Sequence, residues 1–252
     1  MTSTLRGTVA ALAFASTIWL ATSAVADDID TCAKTSGDEA IAACTRAIDS
    51  GRYSGGRLAD LLNNRCSEWN RRQESDKALA DCGQAIRLDP DDPTSFYNRG
   101  NTYINKGQYD RAIEDYDQAI RLSPDFARAF YNRSIAYTKK GQYDRAIGDY
   151  DQAIRLNPDD AMAFNNRGNA YRHEGQNDRA IEDYDQAIRL NPNDVKAFYN
   201  RGVSWERKND LQRALADFKK VSELAPSYQD DPMVIERAAK AIERVTKALS
   251  GR

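Results

Sequence analysis

The stretch PTSFYNRGNTYINKGQYDRAIEDYDQAIRLSPDF, Pro93 to Phe126, returns nearly intact one period later and again after that. Closing prolines fall at Pro90, Pro124, Pro158, Pro192 and Pro226, each 34 residues after the last. The run Ala112 to Leu122 recurs letter for letter at Ala180 to Leu190, and at Ala146 to Leu156 with Gly148 in place of Glu114. A period of this length marks stacked supersecondary units that bury a core continuous between neighbours.

Within one unit, Phe96, Gly100 and Tyr103 fall at i, i+4 and i+7, and Ala112, Tyr116, Ala119 and Ile120 at i, i+4, i+7 and i+8. Each set draws an apolar stripe along one helix. Gly107 ends the first helix with a left-handed cap, and the second stops before Ser123-Pro124, so the unit reads as two antiparallel helices. Small residues at Gly100, Ala112 and Ala119 let the backbones approach; Phe96, Tyr103 and Tyr116 fill the spaces. Gly148, inside a second helix, costs its unit about 1 kcal/mol relative to a good helix former.

Working outward, residues 59–228 hold five such units, residues 27–58 a degenerate half-unit and linker (Ser54-Gly55-Gly56), and residues 229–252 a closing helix, Met233 to Leu249, and tail. Residues 1–26 carry Arg6, an apolar run from Val9 to Leu20 and Ala24-Val25-Ala26, the layout of a cleavable secretory signal. That run is too short to span a bilayer, which takes about 20 apolar residues. The reading is therefore a periplasmic or secreted chain with no membrane insertion after cleavage.

Of the 252 residues 29% are charged and 41% hydrophobic, and the net charge of −2 lacks the basic excess of a nucleic-acid platform. Cys32, Cys44, Cys66 and Cys82 are the four cysteines, an even count that in an exported chain favours disulfides. They allow three pairings. Cys66 stands where later units have Gly100, Ser134, Gly168 and Gly202, and Cys82 where they have Tyr116, Tyr150, Tyr184 and Phe218. Two departures inside one unit predict a Cys66–Cys82 bond across its helices, leaving Cys32 with Cys44. No catalytic constellation is present: His173 is the single histidine and reads as solvated, the acids recur with the repeat, and no cofactor or metal motif occurs.

Aromatic, Gly, Tyr, Gly, Ala, aromatic, Ala and Pro, at Phe96, Gly100, Tyr103, Gly107, Ala112, Tyr116, Ala119 and Pro124, make the chain resemble the tetratricopeptide repeat family. The end units depart from the pattern, with Leu62, Gln73 and the two cysteines in the first and Asn209 and Val221 in the last. The resemblance implies an all-α fold, a right-handed α-solenoid of antiparallel helix pairs. It also implies a non-enzymatic scaffold whose first helices line a groove for a protein or peptide partner.

Carried over residue by residue, the groove positions are Asn64, Asn98, Asn132, Asn166 and Asn200, with Tyr97, Tyr131 and Tyr199 beside them and Asn101 and Asn169 one turn onward. A carboxamide both donates and accepts, so each Asn could hold a peptide group of an extended ligand. With helix pairs stacked at roughly 10 Å and an extended chain rising about 3.3 Å per residue, one Asn would meet the ligand about every three residues. Arg128, Lys139, Arg172, Lys196 and Arg207 add cations to this face, but Tyr97 and Tyr131 stand where the family's chaperone-binding carboxylate clamp has Lys. Arg65, Arg99, Arg133, Arg167 and Arg201 are expected to pair with Asp81, Asp115, Asp149, Asp183 and Asp217 and keep the helices in register. The alternative function is self-assembly through the end helices with the groove unused; the sequence does not decide the oligomeric state.

Overall fold

A computed structural model describes residues 28–224 and 232–251. The expected signal segment, Pro226 and the end of the fifth unit at Tyr228 lie outside the described residues. Every regular element among the described residues is an α-helix. The chain falls into two compact units, Met1–Pro124 and Asp125–Arg252.

In the first unit, α1 (28–34) and α2 (Asp38–Asp49) precede the pairs α3 (Gly55–Arg71) with α4 (Ser75–Leu88) and α5 (Pro93–Asn105) with α6 (Tyr109–Leu122). Helix α4 packs in turn on α5, and α3 on α2 and α5. Gly55 and Gly56 form the first turn of α3 rather than a linker, so α3 runs 17 residues where α5 runs 13. Ser54, in extended conformation, is its N-cap. Two disulfides brace this unit. Cys32–Cys44 ties α1 to α2 with Cα atoms 4.8 Å apart, and Cys66–Cys82 ties α3 to α4 at 5.7 Å. Among the described residues no cysteine is free.

The second unit holds the pairs α7 (Ala127–Lys139) with α8 (Tyr143–Leu156), α9 (Ala161–His173) with α10 (Asn177–Leu190), and α11 (Val195–Arg207) with α12 (Leu211–Leu224), then α13 (Pro232–Ser250). Val234 and Ala238 of α13 bury against Val195, Phe198 and Val221, and Ala241 and Val245 against Ala214 and Phe218. Its polar side carries the Lys240–Glu236 pair, and Arg244 reaches Glu206 of α11 at 2.8 Å.

Local chemistry sets the helix ends. Asp92, Asp160 and Asp194 accept from the first free backbone N–H groups of α5, α9 and α11, whereas Phe126, at the same place before α7, offers no such cap. The turn between paired helices needs a positive φ, supplied by Gly107, Gly141 and Gly175. Gln73 and Asn209 adopt the same conformation, at φ 60° and 61°, without a glycine's freedom. Inside each pair the helices meet at a small residue. A Cβ on Gly100, Gly168 or Gly202 would stand 2.7 Å, 2.8 Å and 2.7 Å from the ring of Tyr116, Tyr184 or Phe218. The Cys66–Cys82 bond occupies the same place in α3 and α4, exchanging aromatic packing for a covalent tie.

Candidate functional site: the first-helix face

The groove candidates all lie on first helices: Asn64 on α3, Tyr97, Asn98 and Asn101 on α5, Tyr131 and Asn132 on α7, Asn166 and Asn169 on α9, and Tyr199 and Asn200 on α11. Asn98 is buried; the others are half-buried. The Asn64, Tyr97 and Asn101 positions each recur at multiples of 34 residues, so each series holds an equivalent place on its first helix.

Several of these groups are held by neighbours. Tyr116 Oη donates to Asn101 Oδ1 at 2.8 Å, and Tyr184 Oη to Asn169 Oδ1 at 2.9 Å, so both carboxamides satisfy a buried phenol. Arg172 Nη2 also reaches Asn169 Oδ1, at 3.2 Å. Asn166 Nδ2 donates to Tyr131 Oη at 2.9 Å, and Asn200 Nδ2 to Asn165 Oδ1 at 3.0 Å. Each of these bonds links one first helix to the next and uses a single amide proton, leaving the carbonyl and the second N–H for other partners. The side chain of Asn64 makes no hydrogen bond among the described residues. The backbone carbonyl of Asn98 accepts from Asn70 Nδ2 and Thr102 Oγ1, both at 3.0 Å.

The tyrosines lean on the second helix of their own pair. Ring centroids are 6.1 Å apart for Tyr97 and Tyr116, 5.9 Å for Tyr131 and Tyr150, and 5.8 Å for Tyr199 and Phe218. Burial pushes the Tyr131 phenol up to about 12, with Tyr150 and Asp160 adding to the shift against the bond from Asn166. Each ring therefore covers core with one part and leaves the rest accessible.

The Arg and Asp series is a built framework. In all five pairs the guanidinium holds its carboxylate through two bonds of 2.6–2.9 Å: Arg65–Asp81, Arg99–Asp115, Arg133–Asp149, Arg167–Asp183 and Arg201–Asp217. Burial pushes the carboxyls of Asp115, Asp183 and Asp217 above the ordinary range, against the pull of their arginines. Arg99 is raised chiefly by its bond to Asp115. Desolvation and attraction thus oppose each other in these pairs.

Sequence reasoning missed two extensions of this framework. Arg167 and Arg201 use Nη1 to reach Asp151 and Asp185 on the preceding second helix, at 2.7 Å and 2.5 Å. The signal was present, because DYDQ repeats a second Asp two residues after the first. Near the turns, Arg145, Arg179 and Arg213 stack on Tyr137, Tyr171 and Trp205 at 4.2–4.5 Å, as Lys77 does on Trp69 at 4.5 Å. His173 is exposed, but its ring stacks on Tyr143 with centroids 4.7 Å apart. Desolvation, with Arg172 and Arg207 nearby, lowers its pKa below the ordinary histidine value.

A cleft of about 310 Å³ opens in the first unit among Ile29, Arg57, Asp60, Asn63, Asn64, Asp92 and their neighbours. Among the described residues no group of His, Cys, Asp and Glu is placed to hold a metal ion, and no helix is long and apolar enough to cross a membrane.

This geometry has counterparts of known structure. MamA residues 41 to the end from Desulfovibrio magneticus RS-1 is 31% identical, with 68% of this chain and 97% of that one covered at a TM-score of 0.64. A double mutant named MamA RS-1 ArsTM gives 31%, 69%, 97% and 0.64. YrrB, described as a TPR protein with an unusual peptide-binding site, is 27% identical over 78% of this chain and 97% of its own, at a TM-score of 0.62. No curated protein matches the chain. Residues 97–161, 131–194 and 165–228 match the family described as Tetratricopeptide repeat, and residues 71–107 the one described as TPR repeat. The chain belongs to the tetratricopeptide repeat family of non-enzymatic protein–protein interaction scaffolds.

Proposed function

We propose that the protein is exported to the periplasm, or secreted, and there holds an extended polypeptide segment of a partner along its first-helix face. The observation that carries this is the recurrence of half-buried Asn and Tyr at two neighbouring positions of the first helices within each unit, Asn64 and Tyr97 in one and Tyr131, Asn132, Asn166, Tyr199 and Asn200 in the other. Rigid aromatic rings give contact area at low entropic cost, and the amide groups left over from the internal bonds pair with peptide groups irrespective of side chain. YrrB, similar over most of this chain, carries a peptide-binding site of its own. Two disulfides, with no free cysteine among the described residues, support an oxidising compartment. We assign residues 1–26 to a signal removed before Asp27, and α13 to closing the end of the repeats.

The test is site-specific photocrosslinking in cells. A crosslinker at Tyr97 or Tyr131 is expected to capture one defined protein from the exported pool. Capture only from the polar side of α13, at Arg237 or Lys240, would instead support association through the end helix.

A further inference from the structure

We infer that the first-helix face of the second unit takes an acidic polypeptide segment, whose Asp or Glu side chains lie along α7, α9 and α11. The inference rests on the groove reading above and narrows it to one class of partner on one unit.

The charge on these helices has one sign. Together α7, α9 and α11 hold a single acid, Glu206, and Arg244 of α13 binds it at 2.8 Å. Of their cations, Arg133, Arg167 and Arg201 belong to the ion-pair framework, which leaves Arg128, Lys139, Arg172, Lys196 and Arg207. Helix stability does not account for the set. A helix favours cations at its C-terminal end and acids at its N-terminal end. Lys139 and Arg207 close α7 and α11 and follow that rule, but Arg128 and Lys196 stand in first turns that hold no acid. The second helices α8 and α10 do carry an acid there, Asp144 and Asp178, and more acids than bases along their length. In the first unit, by contrast, α5 has one cation, Arg99, bound to Asp115, and Arg71 at the end of α3 is bound to Glu68.

Two of the five cations are held in place by neutral groups. Arg172 reaches Asn169 Oδ1 with Nη2 at 3.2 Å and Tyr184 Oη with Nε at 3.4 Å, and Arg207 Nη1 donates to the backbone carbonyl of Arg172 at 2.8 Å. These bonds position guanidiniums on two adjacent first helices without neutralising either. Lys139, Arg172 and Arg207 form no ion pair among the described residues. Arg172 Nη1 and Arg207 Nε and Nη2 therefore stay available to carboxylates. A face of one sign concentrates segments of the opposite charge and rejects basic ones. Met162 is 63% exposed at the second position of α9, the place Arg128 and Lys196 take on α7 and α11. Its thioether offers an apolar contact that a peptide side chain can use and a bare polyanion cannot.

Three first helices at roughly 10 Å spacing span about 20 Å, the reach of about six extended residues, so a peptide of about ten residues covers the face. The probe is such a peptide of glutamate, serine and leucine, acetylated and amidated so that side chains supply all its charge. Its control has glutamine for every glutamate, and inorganic polyphosphate is the third ligand. Amide spectra of the isotope-labelled full chain are recorded during each titration. The glutamate peptide is expected to cause saturable shifts at Lys139, Met162, Arg172 and Arg207 that weaken as salt is raised, and the glutamine peptide to bind far more weakly. K139Q and R207Q change exposed side chains, and each should lower the affinity for the glutamate peptide about threefold. K219Q makes the same charge change at an exposed place on α12 and should leave that affinity as in wild type. Absence of a saturable shift with the glutamate peptide overturns the inference, and so does a loss in K219Q equal to that in R207Q, which would mark an effect of net charge alone. Tighter binding of polyphosphate at the same amides overturns it in favour of polyanions in general. Equal affinity for the glutamine peptide overturns the acidic class and leaves the groove reading standing, whereas crosslinking at Tyr97 or Tyr131 tests the groove reading separately.

Discussion

Replacing Gly168 and Gly148 by alanine, one at a time, separates packing from helix propensity within one compact unit. Both glycines are helical, Gly168 in α9 and Gly148 in α8, so each substitution gains about 1 kcal/mol of helix propensity. Their surroundings differ. Nothing lies within 4 Å of a Cβ on Gly148, whereas one on Gly168 meets Tyr184 Cε1 at 2.8 Å, Tyr184 Cδ1 at 3.1 Å and the Ala180 carbonyl oxygen at 3.1 Å. Relief would require the ring or the helix to retreat by roughly 0.7 Å toward ordinary contact near 3.5 Å. Tyr184 is fully buried and its hydroxyl is tied to Asn169, while the Ala180 carbonyl belongs to helix backbone. Overpacking of this kind costs about 1–3 kcal/mol. G148A should therefore be more stable than wild type by about 1 kcal/mol, and G168A less stable by about 1 kcal/mol, with propensity cancelling from their difference of about 2 kcal/mol. Urea unfolding followed by far-ultraviolet circular dichroism measures both, provided the slopes agree and the unfolding stays cooperative. Ser134, fully buried at the equivalent place in α7, shows that a pair can be built around a Cβ, which keeps the estimate for G168A away from the top of the range. Equal stabilisation of the two variants would refute the close approach of α9 and α10.

Other outcomes follow from single contacts. Q73G and N209G should each add about 0.5–1 kcal/mol in the same assay, because both residues sit at positive φ where glycine is unstrained. D115A should cost about 2 kcal/mol by stranding Arg99 half-buried, and R99M/D115L should cost less than D115A alone; a double variant worse than the single would show that the ion pair itself stabilises the fold. A proton titration of His173 should give a midpoint below the ordinary histidine value, and R207Q should move it upward. Since the folded value is the depressed one, the contribution of His173 to stability is present above the unfolded pKa of about 6.5 and is lost as pH falls through the folded pKa. A midpoint above the unfolded value would reverse the sign.

Sequence reasoning reached the repeat architecture because each structural demand recurs with a residue that meets it. Positive φ is marked by Gly107, Gly141 and Gly175, and close approach by Gly100, Gly168 and Gly202. The Cys66–Cys82 bond was legible for the same reason, since both cysteines replace members of one packed pair. Exceptions hid the same demands, as Gln73 and Asn209 take the turn conformation without its usual residue. Gly55 and Gly56 looked like a linker because glycine is a poor helix former, yet they sit in the first turn of α3. The candidate surface was harder to read. Asn101 and Asn169 share the register of the groove series, but which way a carboxamide turns depends on the buried hydroxyls of Tyr116 and Tyr184, fifteen residues away on another helix. A period fixes which residues share a face, not which of their polar atoms remain unspent.

The central claim, that the first-helix face holds a polypeptide, is tested most directly by hydrogen exchange of the protein with and without the polypeptide captured from Tyr97 or Tyr131. New protection confined to Gly55–Arg71, Pro93–Asn105, Ala127–Lys139, Ala161–His173 and Val195–Arg207 is the expected footprint. Protection on Pro232–Ser250, or on the second helices with the first unchanged, would contradict it.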